Sequence, residues 1–159
     1  MHLRHLIFIY LCIALLAWSC EEGVLLDQFH EVPNGEWQYD QVYTDSFAVV
    51  NPDFYHQIYV NLRISSEYKY ANIQLLISVT HPDGKTTKHE LPVKLAEKSG
   101  KWLGKGLGDI LTYQVPILHR KFLDQKGMYS FKIAQNMRVT PLKEVLSVGI
   151  KVQQQEEIY

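Results

Sequence analysis

The chain has 159 residues, of which 47% are apolar and 21% are charged, and its formal net charge is −1. This balance is that of a globular protein and excludes a disordered chain, and the length suits one domain once any targeting segment is removed. A nearly neutral chain also lacks the clustered positive charge that binding to nucleic acid requires.

The first 19 residues have the pattern of a cleaved signal peptide. A short start that contains Arg4 precedes an uncharged apolar run from Leu6 to Trp18. A membrane-spanning helix needs about 20 apolar residues, so this run is too short to be a permanent anchor. We therefore predict a signal peptide over residues 1–19 and export of the remaining chain.

Cys20 indicates how the exported chain is held. A cysteine that directly follows a small residue and closes an apolar segment resembles the lipobox of bacterial lipoproteins. In those proteins the signal is cut before the cysteine, whose thiol and new amine are acylated. One acyl chain anchors a protein only marginally, whereas two or three hold it firmly. We predict lipid attachment at Cys20; the alternative is ordinary secretory cleavage after Ser19 that leaves Cys20 free or buried.

The cysteine count agrees with lipid attachment. The only other cysteine is Cys12, which lies inside the apolar run. After cleavage the chain would keep one thiol, which has no intramolecular disulfide partner and is a hazard in an oxidising compartment. Acylation of Cys20 removes that thiol.

Residues 20–36 form a polar segment around the turn signal Pro33-Asn34-Gly35. We interpret this segment as a lipidated N-terminus and tether, and we place the folded domain at residues 37–159. The acidic pair Glu21-Glu22 is either part of the solvated tether or a sorting signal.

Strand periodicity dominates the domain. Apolar residues recur at every second position, as in half-buried strands, in seven runs at 47–49, 58–64, 73–79, 89–95, 111–117, 129–133 and 148–152. Pro92 would remove a ladder hydrogen bond, which predicts that the fourth run is an edge strand. Helical spacing is limited to short pieces at 117–123 and 141–146. The prediction is an all-β fold, a single β-sandwich-like domain of about seven or eight short strands.

The glycine-rich segment 100–109 is the most unusual local sequence. It contains, in order, Gly100, Trp102, Gly104 and Gly106. The glycine spacing fits neither a P-loop nor the G-x-G-x-x-G dinucleotide motif, and dense glycine permits positive φ and close backbone approach. We interpret the segment as an interaction or structural loop. We favour a core position for Trp102, because Leu103 and Leu107 flank it, over a position at a partner surface.

Recognisable catalytic or metal-binding motifs are missing from the sequence. The histidines that follow Cys20 lack metal-ligand spacing and are interpreted as solvated or hydrogen-bonded: His30, His56, His81, His89 and His119. No serine lies in a G-x-S-x-G motif. We predict no enzymatic activity, no metal and no cofactor, and we keep a hydrolase of unrecognised type as a minor alternative.

A family resemblance covers nearly the whole chain after Cys20. The residues that carry it are, in order, Trp37, Phe47, Tyr59, Leu62-Arg63, Tyr68-x-Tyr70-x-Asn72, Pro82-x-Gly84, Gly100-x-Trp102-x-Gly104-x-Gly106, Gly127-x-Tyr129-x-Phe131, Gln135-x-Met137-Arg138, Leu142 and Val148-Gly149-Ile150. This order resembles the gliding-motility lipoprotein H family of the Bacteroidetes. The glycine–tryptophan element and the Gln-x-Met-Arg element are its more specific parts.

The resemblance implies an outer-membrane lipoprotein, on the periplasmic face, linked with gliding and with type IX secretion. It implies a non-catalytic scaffold or binding component whose partners are the membrane, through Cys20, and other envelope proteins of that apparatus. The alternative hypothesis is a carbohydrate-binding lipoprotein in which Trp37, Trp102 or tyrosines stack on sugar rings. Both hypotheses expect aromatic side chains at the binding surface.

Overall fold

The structure, a computed structural model, describes residues 23–118 and 123–155. Within these residues the chain forms strands and turns and no α-helix. The strands are β1 (Val24–Asp27), β2 (His30–Glu31), β3 (Glu36–Trp37), β4 (Tyr43–Val49), β5 (Tyr55–Ser65), β6 (Asn72–Thr80), β7 (Thr86–Lys94), β8 (Lys105–Leu107), β9 (Ile110–Leu118), β10 (Gly127–Gln135), β11 (Leu142–Lys143) and β12 (Val145–Gln155). The predicted all-β class is confirmed.

The strands form two antiparallel sheets that pack face to face. The larger sheet has the order β1-β12-β5-β9-β8, with β2 also paired to β12. The smaller sheet has the order β4-β10-β6-β7, and the short strands β3 and β11 pair with each other. Each of the seven predicted runs falls on one of the seven long strands, although Leu95 lies one residue beyond the end of β7. The strand with Pro92 is the last strand of the smaller sheet, as predicted.

Alternation along the strands builds the core. On β5, Ile58, Val60, Leu62 and Ile64 are all buried and face the smaller sheet. On β6 and β10 every second residue is buried in the same way. Because successive side chains of a strand point to opposite faces, one apolar set per strand is enough to fill the space between two sheets.

The first strands lie inside the segment that the sequence assigned to a tether. The predicted domain starts at Trp37, whereas β1 begins at Val24 and pairs with β12. The segment between β1 and β2 crosses the outer face of the larger sheet at Gly149, where a Cβ would lie 2.0 Å from the Gln28 carbonyl oxygen. The alternation of apolar and polar residues covers only a few positions in this segment. Only its pairing with β12 therefore shows that it belongs to the sheet.

A buried polar group on the outer face of the larger sheet fixes this N-terminal segment. The Asn61 amide donates to Asp27 Oδ1 at 2.7 Å, and the Gln114 amide donates to Asn61 Oδ1 at 3.3 Å. The Lys151 ammonium lies 3.9 Å from Asp27 Oδ2, and its side chain is almost fully buried. The guanidinium of Arg63 lies 4.0 Å from the centre of the Phe29 ring, a cation–π contact. These contacts attach residues 27–29 to the sheet rather than leaving them free.

The predicted helical piece at 141–146 is wrong. Leu142 pairs with Trp37 and Val145 pairs with Ile64, so this segment supplies β11 and the start of β12. Local propensity is a weak prior, and pairing with strands distant in sequence overrides it here. In the other piece, residues 117–118 belong to β9, and residues 119–122 lie outside the described part of the chain.

The register defines the two ends of the sandwich. Gly23 accepts a hydrogen bond from the Gln154 N–H, and Gln155 pairs with Tyr55, so the end that holds Gly23 also holds the loops at 50–54 and 81–85. We call this the proximal end. The opposite, distal end holds the loops at 38–42, 66–71, 95–104 and 136–141. Strands β5 and β12 have 11 residues each, so the two ends lie roughly 35 Å apart.

Candidate functional site: the distal end of the sandwich

Three elements that carry the family resemblance meet at the distal end. They are Tyr68-x-Tyr70-x-Asn72, the glycine–tryptophan segment at 100–106 and Gln135-x-Met137-Arg138. Ala71 connects the first two through Ala96, because its carbonyl oxygen accepts the N–H groups of Leu95 (2.8 Å) and Ala96 (3.0 Å), and Ala96 forms a bridge with Trp102. Gln74 connects the first and the third, because its carbonyl oxygen accepts the N–H of Asn136 at 2.8 Å. Segments about 65 residues apart in sequence therefore form one surface.

A groove of about 440 Å³ opens on this surface, between the start of β6 and the loop after β10. It is lined by Tyr70, Gln74, Asn136, Met137, Arg138 and Val139. Tyr70, Met137 and Val139 give it apolar walls, and two side-chain amides give it hydrogen-bonding groups. Arg138 is exposed and forms no ion pair with any residue that the structure describes. The groove can therefore accept an apolar side chain together with a carboxylate.

Gln135 fixes the loop that forms one wall of the groove. Its side chain is buried, its Oε1 accepts the Met137 N–H at 2.8 Å, and its Nε2 donates to the Val139 carbonyl oxygen at 3.2 Å. The Met137 thioether sulfur in turn accepts the backbone N–H of Gln74 at 3.2 Å. A buried amide that satisfies two loop backbone groups holds that loop in one conformation.

The opposite wall depends on a pair of tyrosines. Tyr68 is buried, its hydroxyl donates to the Asn72 carbonyl oxygen at 3.3 Å, and its ring meets that of Tyr70 edge to face at 5.6 Å. Burial, and secondarily the nearby Tyr70, raise the pKa of Tyr68 well above its usual range. Tyr68 therefore stays neutral at any physiological pH and acts as a support for the half-exposed Tyr70.

The glycine-rich segment is a hairpin at the distal end of the sandwich. The N–H of Gly100 donates to the Glu97 carbonyl oxygen at 2.9 Å, and Gly100 has a φ of 85°. Trp102 forms a bridge with Ala96 and packs against the edge of the core, where it is partly buried. Leu103 is exposed, so it does not bury with the tryptophan as expected, and the side chain of Leu107 lies outside the described part of the structure. Trp102 therefore occupies a boundary position, between the two roles that the sequence left open.

Close approach explains two of the glycines. A Cβ on Gly104 would lie 2.6 Å from Cζ of Tyr113, and a Cβ on Gly106 would lie 2.5 Å from the carbonyl oxygen of Ile110. Neither residue has a positive φ. Dense glycine permits both positive φ and close approach, and in this segment positive φ is found at Gly100 and Gly108.

Trp37 is fully buried, which excludes it as a platform for sugar stacking. Its indole Nε1 donates to the Gln41 carbonyl oxygen at 2.9 Å, and its ring meets Tyr43 edge to face. The exposed aromatic side chains of the distal end are instead Tyr39 and Tyr70. Sequence reasoning did not single out Tyr39; its place in a polar stretch between two strands is the only local signal.

Exposed large apolar side chains lie only at the two ends of the sandwich, among the residues that the structure describes. The distal end holds Tyr39, Val42, Tyr70, Leu103, Ile110 and Val139. The proximal end holds Leu25, Val50, Phe54 and Met128. Single exposed apolar residues are ordinary, but their restriction to two opposite ends marks both ends as candidate contact surfaces.

The four histidines among the described residues form no common site. His30 is hydrogen-bonded to Asp45 at 2.7 Å, His89 bonds Thr87, and His81 meets the Tyr129 ring edge to face. Burial lowers the pKa of His56, and His119 lies outside the described residues. Within residues 23–118 and 123–155, no three histidine, cysteine, aspartate or glutamate side chains come together to hold a metal ion.

The membrane-related predictions fall mostly outside the structure. Residues 1–22, with the predicted signal peptide and Cys20, are not among the described residues. In the described ranges no helix has the length and apolar character needed to cross a membrane. The lipid site therefore stays a prediction.

Comparison with known proteins gives the chain a family. The chain is 26% identical to the gliding motility lipoprotein GldH of Flavobacterium johnsoniae over 155 residues, which is 93% of this chain and 96% of that protein. It is 23% identical to the gliding motility lipoprotein GldH homolog of Christiangramia forsetii, over 94% of this chain and 96% of that protein. A family model described as GldH lipoprotein matches residues 24–152, from the first strand to the last. The protein belongs to the GldH lipoprotein family.

Proposed function

We propose that this protein is a non-catalytic binding component of a gliding-motility and type IX secretion apparatus, held on the periplasmic face of the outer membrane by acyl chains on Cys20. The observation that carries the binding role is the convergence of three family-pattern segments on one distal surface with a groove. Both relatives are named as gliding motility lipoproteins, which supports the envelope location and the process.

The anchoring part rests on Cys20 and on the short apolar segment that precedes it. Cys20→Ala should abolish labelling by a clickable fatty acid and release the chain from the membrane fraction. The reason is that the apolar run before Cys20 is too short to be a permanent membrane anchor without the acyl chains. Cys12→Ala is the matched control and should leave labelling unchanged. Undiminished labelling of Cys20→Ala would refute the assignment.

The binding part rests on the groove chemistry. Tyr70, Met137 and Val139 form apolar walls beside Arg138, which is exposed and has no ion-pair partner among the described residues. This arrangement fits a segment of an envelope protein that presents an apolar side chain and a carboxylate. Charge-assisted hydrogen bonds from arginine to a carboxylate are among the stronger polar contacts in proteins. A rigid loop, fixed by Gln135, lowers the entropy lost on binding.

Affinity capture from detergent-solubilised envelopes tests this role. Arg138→Ala and Val139→Asp should each reduce the recovery of a specific envelope protein. For a residue at the centre of an interface, the expected loss of binding free energy is about 2 kcal/mol, which is roughly 30-fold in affinity. Lys132→Ala and Ser46→Asp change exposed residues in the middle of the smaller sheet and are the matched controls. Equal recovery with all four variants would exclude the groove as the binding surface.

Carbohydrate binding remains the second candidate, supported by the exposure of Tyr39, which is 59%, and of Tyr70 in its groove. Tyrosine faces can stack on sugar rings in the same way that they anchor protein contacts. Glycan-array binding by the domain, lost in Tyr39→Ala and Tyr70→Ala, would favour this function. Binding of no glycan, together with recovery of an envelope protein, would favour the first.

A further inference from the structure

We propose that the proximal rim of the sandwich, defined as Leu25, Val50, Phe54 and Met128 with the turn at 81–85, lies against the phospholipid surface and fixes the domain upright on the membrane. This proposal rests on the acylation of Cys20. It adds an orientation, with the distal groove roughly 35 Å from the bilayer. The occupant of the rim is the interfacial region of the leaflet that holds the acyl chains.

The short distance from the anchor to the first strand carries the proposal. The Gly23 carbonyl oxygen is bonded to the Gln154 N–H at 2.7 Å, and the chain enters β1 at Val24. Only Glu21 and Glu22 separate Gly23 from Cys20. Three residue steps span at most about 10 Å, so the acyl chains hold the proximal end within that distance of the membrane surface.

The strand register gathers the rim residues at that same end. Val49 pairs with Gly127 and Ala48 with Met128, so Val50 and Met128 are neighbours on the outer face of the smaller sheet. Pro82 contacts Gly127, where an added Cβ would lie 2.7 Å from Pro82 Cβ, so the turn at 81–85 adjoins the same patch. Phe54 immediately precedes Tyr55, which pairs with Gln155.

The chemistry of the rim suits a lipid interface. Val50 is the most exposed large apolar side chain of the described residues, at 75%, and Met128 and Tyr39 come next, both at 59%. The loops beside them carry charges of both signs, which are Asp53, Asp83, Asp124, Lys85 and Lys126. Apolar side chains among charges of both signs gain free energy at the boundary between headgroups and acyl chains. They would gain nothing if they pointed into solvent.

Site-directed spin labelling of the acylated protein tests the orientation. After acylation of Cys20 and removal of Cys12 with the signal, a single introduced cysteine is the only free thiol. Val50→Cys, Phe54→Cys and Met128→Cys report on the rim, and Tyr39→Cys and Val139→Cys report on the distal end. Each labelled protein is reconstituted into vesicles of phosphatidylethanolamine and phosphatidylglycerol, and accessibility to oxygen and to a water-soluble nickel chelate is measured.

We expect the rim labels to lose accessibility to the chelate severalfold on reconstitution, relative to the same variants produced in solution without the signal peptide and without Cys20, while the distal labels do not change. Rim labels that remain fully accessible in vesicles to which the acylated protein is bound, as judged by flotation and mass spectrometry, would overturn the orientation and leave the anchoring intact. Absence of acylation in mass spectrometry would overturn the anchoring and, with it, this proposal.

Discussion

The ring of Tyr113 lies directly against the backbone of Gly104. A Cβ at position 104 would come within 2.6 Å of Cζ and 2.7 Å of Cε2 of that ring. The ring cannot easily move away, because the Tyr113 hydroxyl donates to the Leu95 carbonyl oxygen at 2.9 Å and the side chain is buried. This contact joins the glycine-rich hairpin to β9 and explains the glycine without any special φ.

Replacing this glycine tests the contact. Gly104→Ala should lower the free energy of unfolding by about 1–3 kcal/mol, the usual cost of overpacking, although alanine also restricts the unfolded chain. Tyr113→Ala in the same chain should remove much of the penalty, with a coupling of at least about 0.5 kcal/mol in a double-mutant cycle. Urea unfolding supplies the four values. Strict additivity would show that the ring contact does not constrain residue 104.

The boundary position of Trp102 predicts an intermediate cost of truncation. Trp102→Ala should lower the free energy of unfolding by about 2 kcal/mol, below the roughly 3–5 kcal/mol expected for a fully buried tryptophan. Leu103→Ala, at an exposed neighbour, should change it by less than about 0.5 kcal/mol. Urea unfolding measures both. A loss of about 4 kcal/mol or more would mean that the indole is a core residue, because truncating a core tryptophan costs about 3–5 kcal/mol.

Gly149 should be intolerant of any side chain. A Cβ there would meet the Gln28 carbonyl oxygen at 2.0 Å and Cα of Phe29 at 3.0 Å. These backbone atoms cannot yield as a flexible side chain does, because the strands on either side of them, β1 and β2, both pair with β12. Gly149→Ala should therefore displace residues 27–29, break the Asn61–Asp27 hydrogen bond and destabilise the domain by about 1–3 kcal/mol.

Hydrogen exchange locates that effect. Faster exchange of the Gln28 amide, which donates to the Ile150 carbonyl oxygen at 3.0 Å, is expected in Gly149→Ala. Ser46→Ala, an exposed position on β4, is the control. If the Gln28 amide exchanged at the same rate in Gly149→Ala as in the natural protein, the close approach of residues 27–29 to β12 would be contradicted.

Alkaline pH should destabilise the domain partly through Tyr68. Burial raises the pKa of Tyr68 in the folded state, so the folded protein binds this proton more tightly than the unfolded chain does. The resulting stability is fully present below the unfolded pKa of about 10 and is lost as the pH rises above it. In urea unfolding between about pH 9 and 11, Tyr68→Phe should lose stability less steeply than the natural protein. Tyr39→Phe changes an exposed ring and should lose stability with pH as steeply as the natural protein does. The same dependence of unfolding free energy on pH in all three proteins would refute the assignment to Tyr68.

The alternation of side chains determined most of the β architecture from the sequence alone. The runs at 58–64 and 73–79 identify strands because the period of two is a local property, imposed by the pleat on consecutive residues. Pro92 identified an edge strand for an equally local reason, since it has no N–H to donate. The chemical argument for Cys20 is also local, and it depends on residues that precede the folded domain.

Only the tertiary structure decided which segments meet. Val24–Asp27 joins the sheet because it pairs with β12, at the far end of the chain, and nothing in its own four residues shows this. Trp37 and Tyr39 are two residues apart, yet one is fully buried and the other largely exposed. The groove joins Tyr70 to Arg138, and the rim joins Val50 to Met128. Strand order and register are non-local properties. Each pairing needs hydrogen bonds between two segments that are distant in sequence, and the chain must close a loop to bring them together.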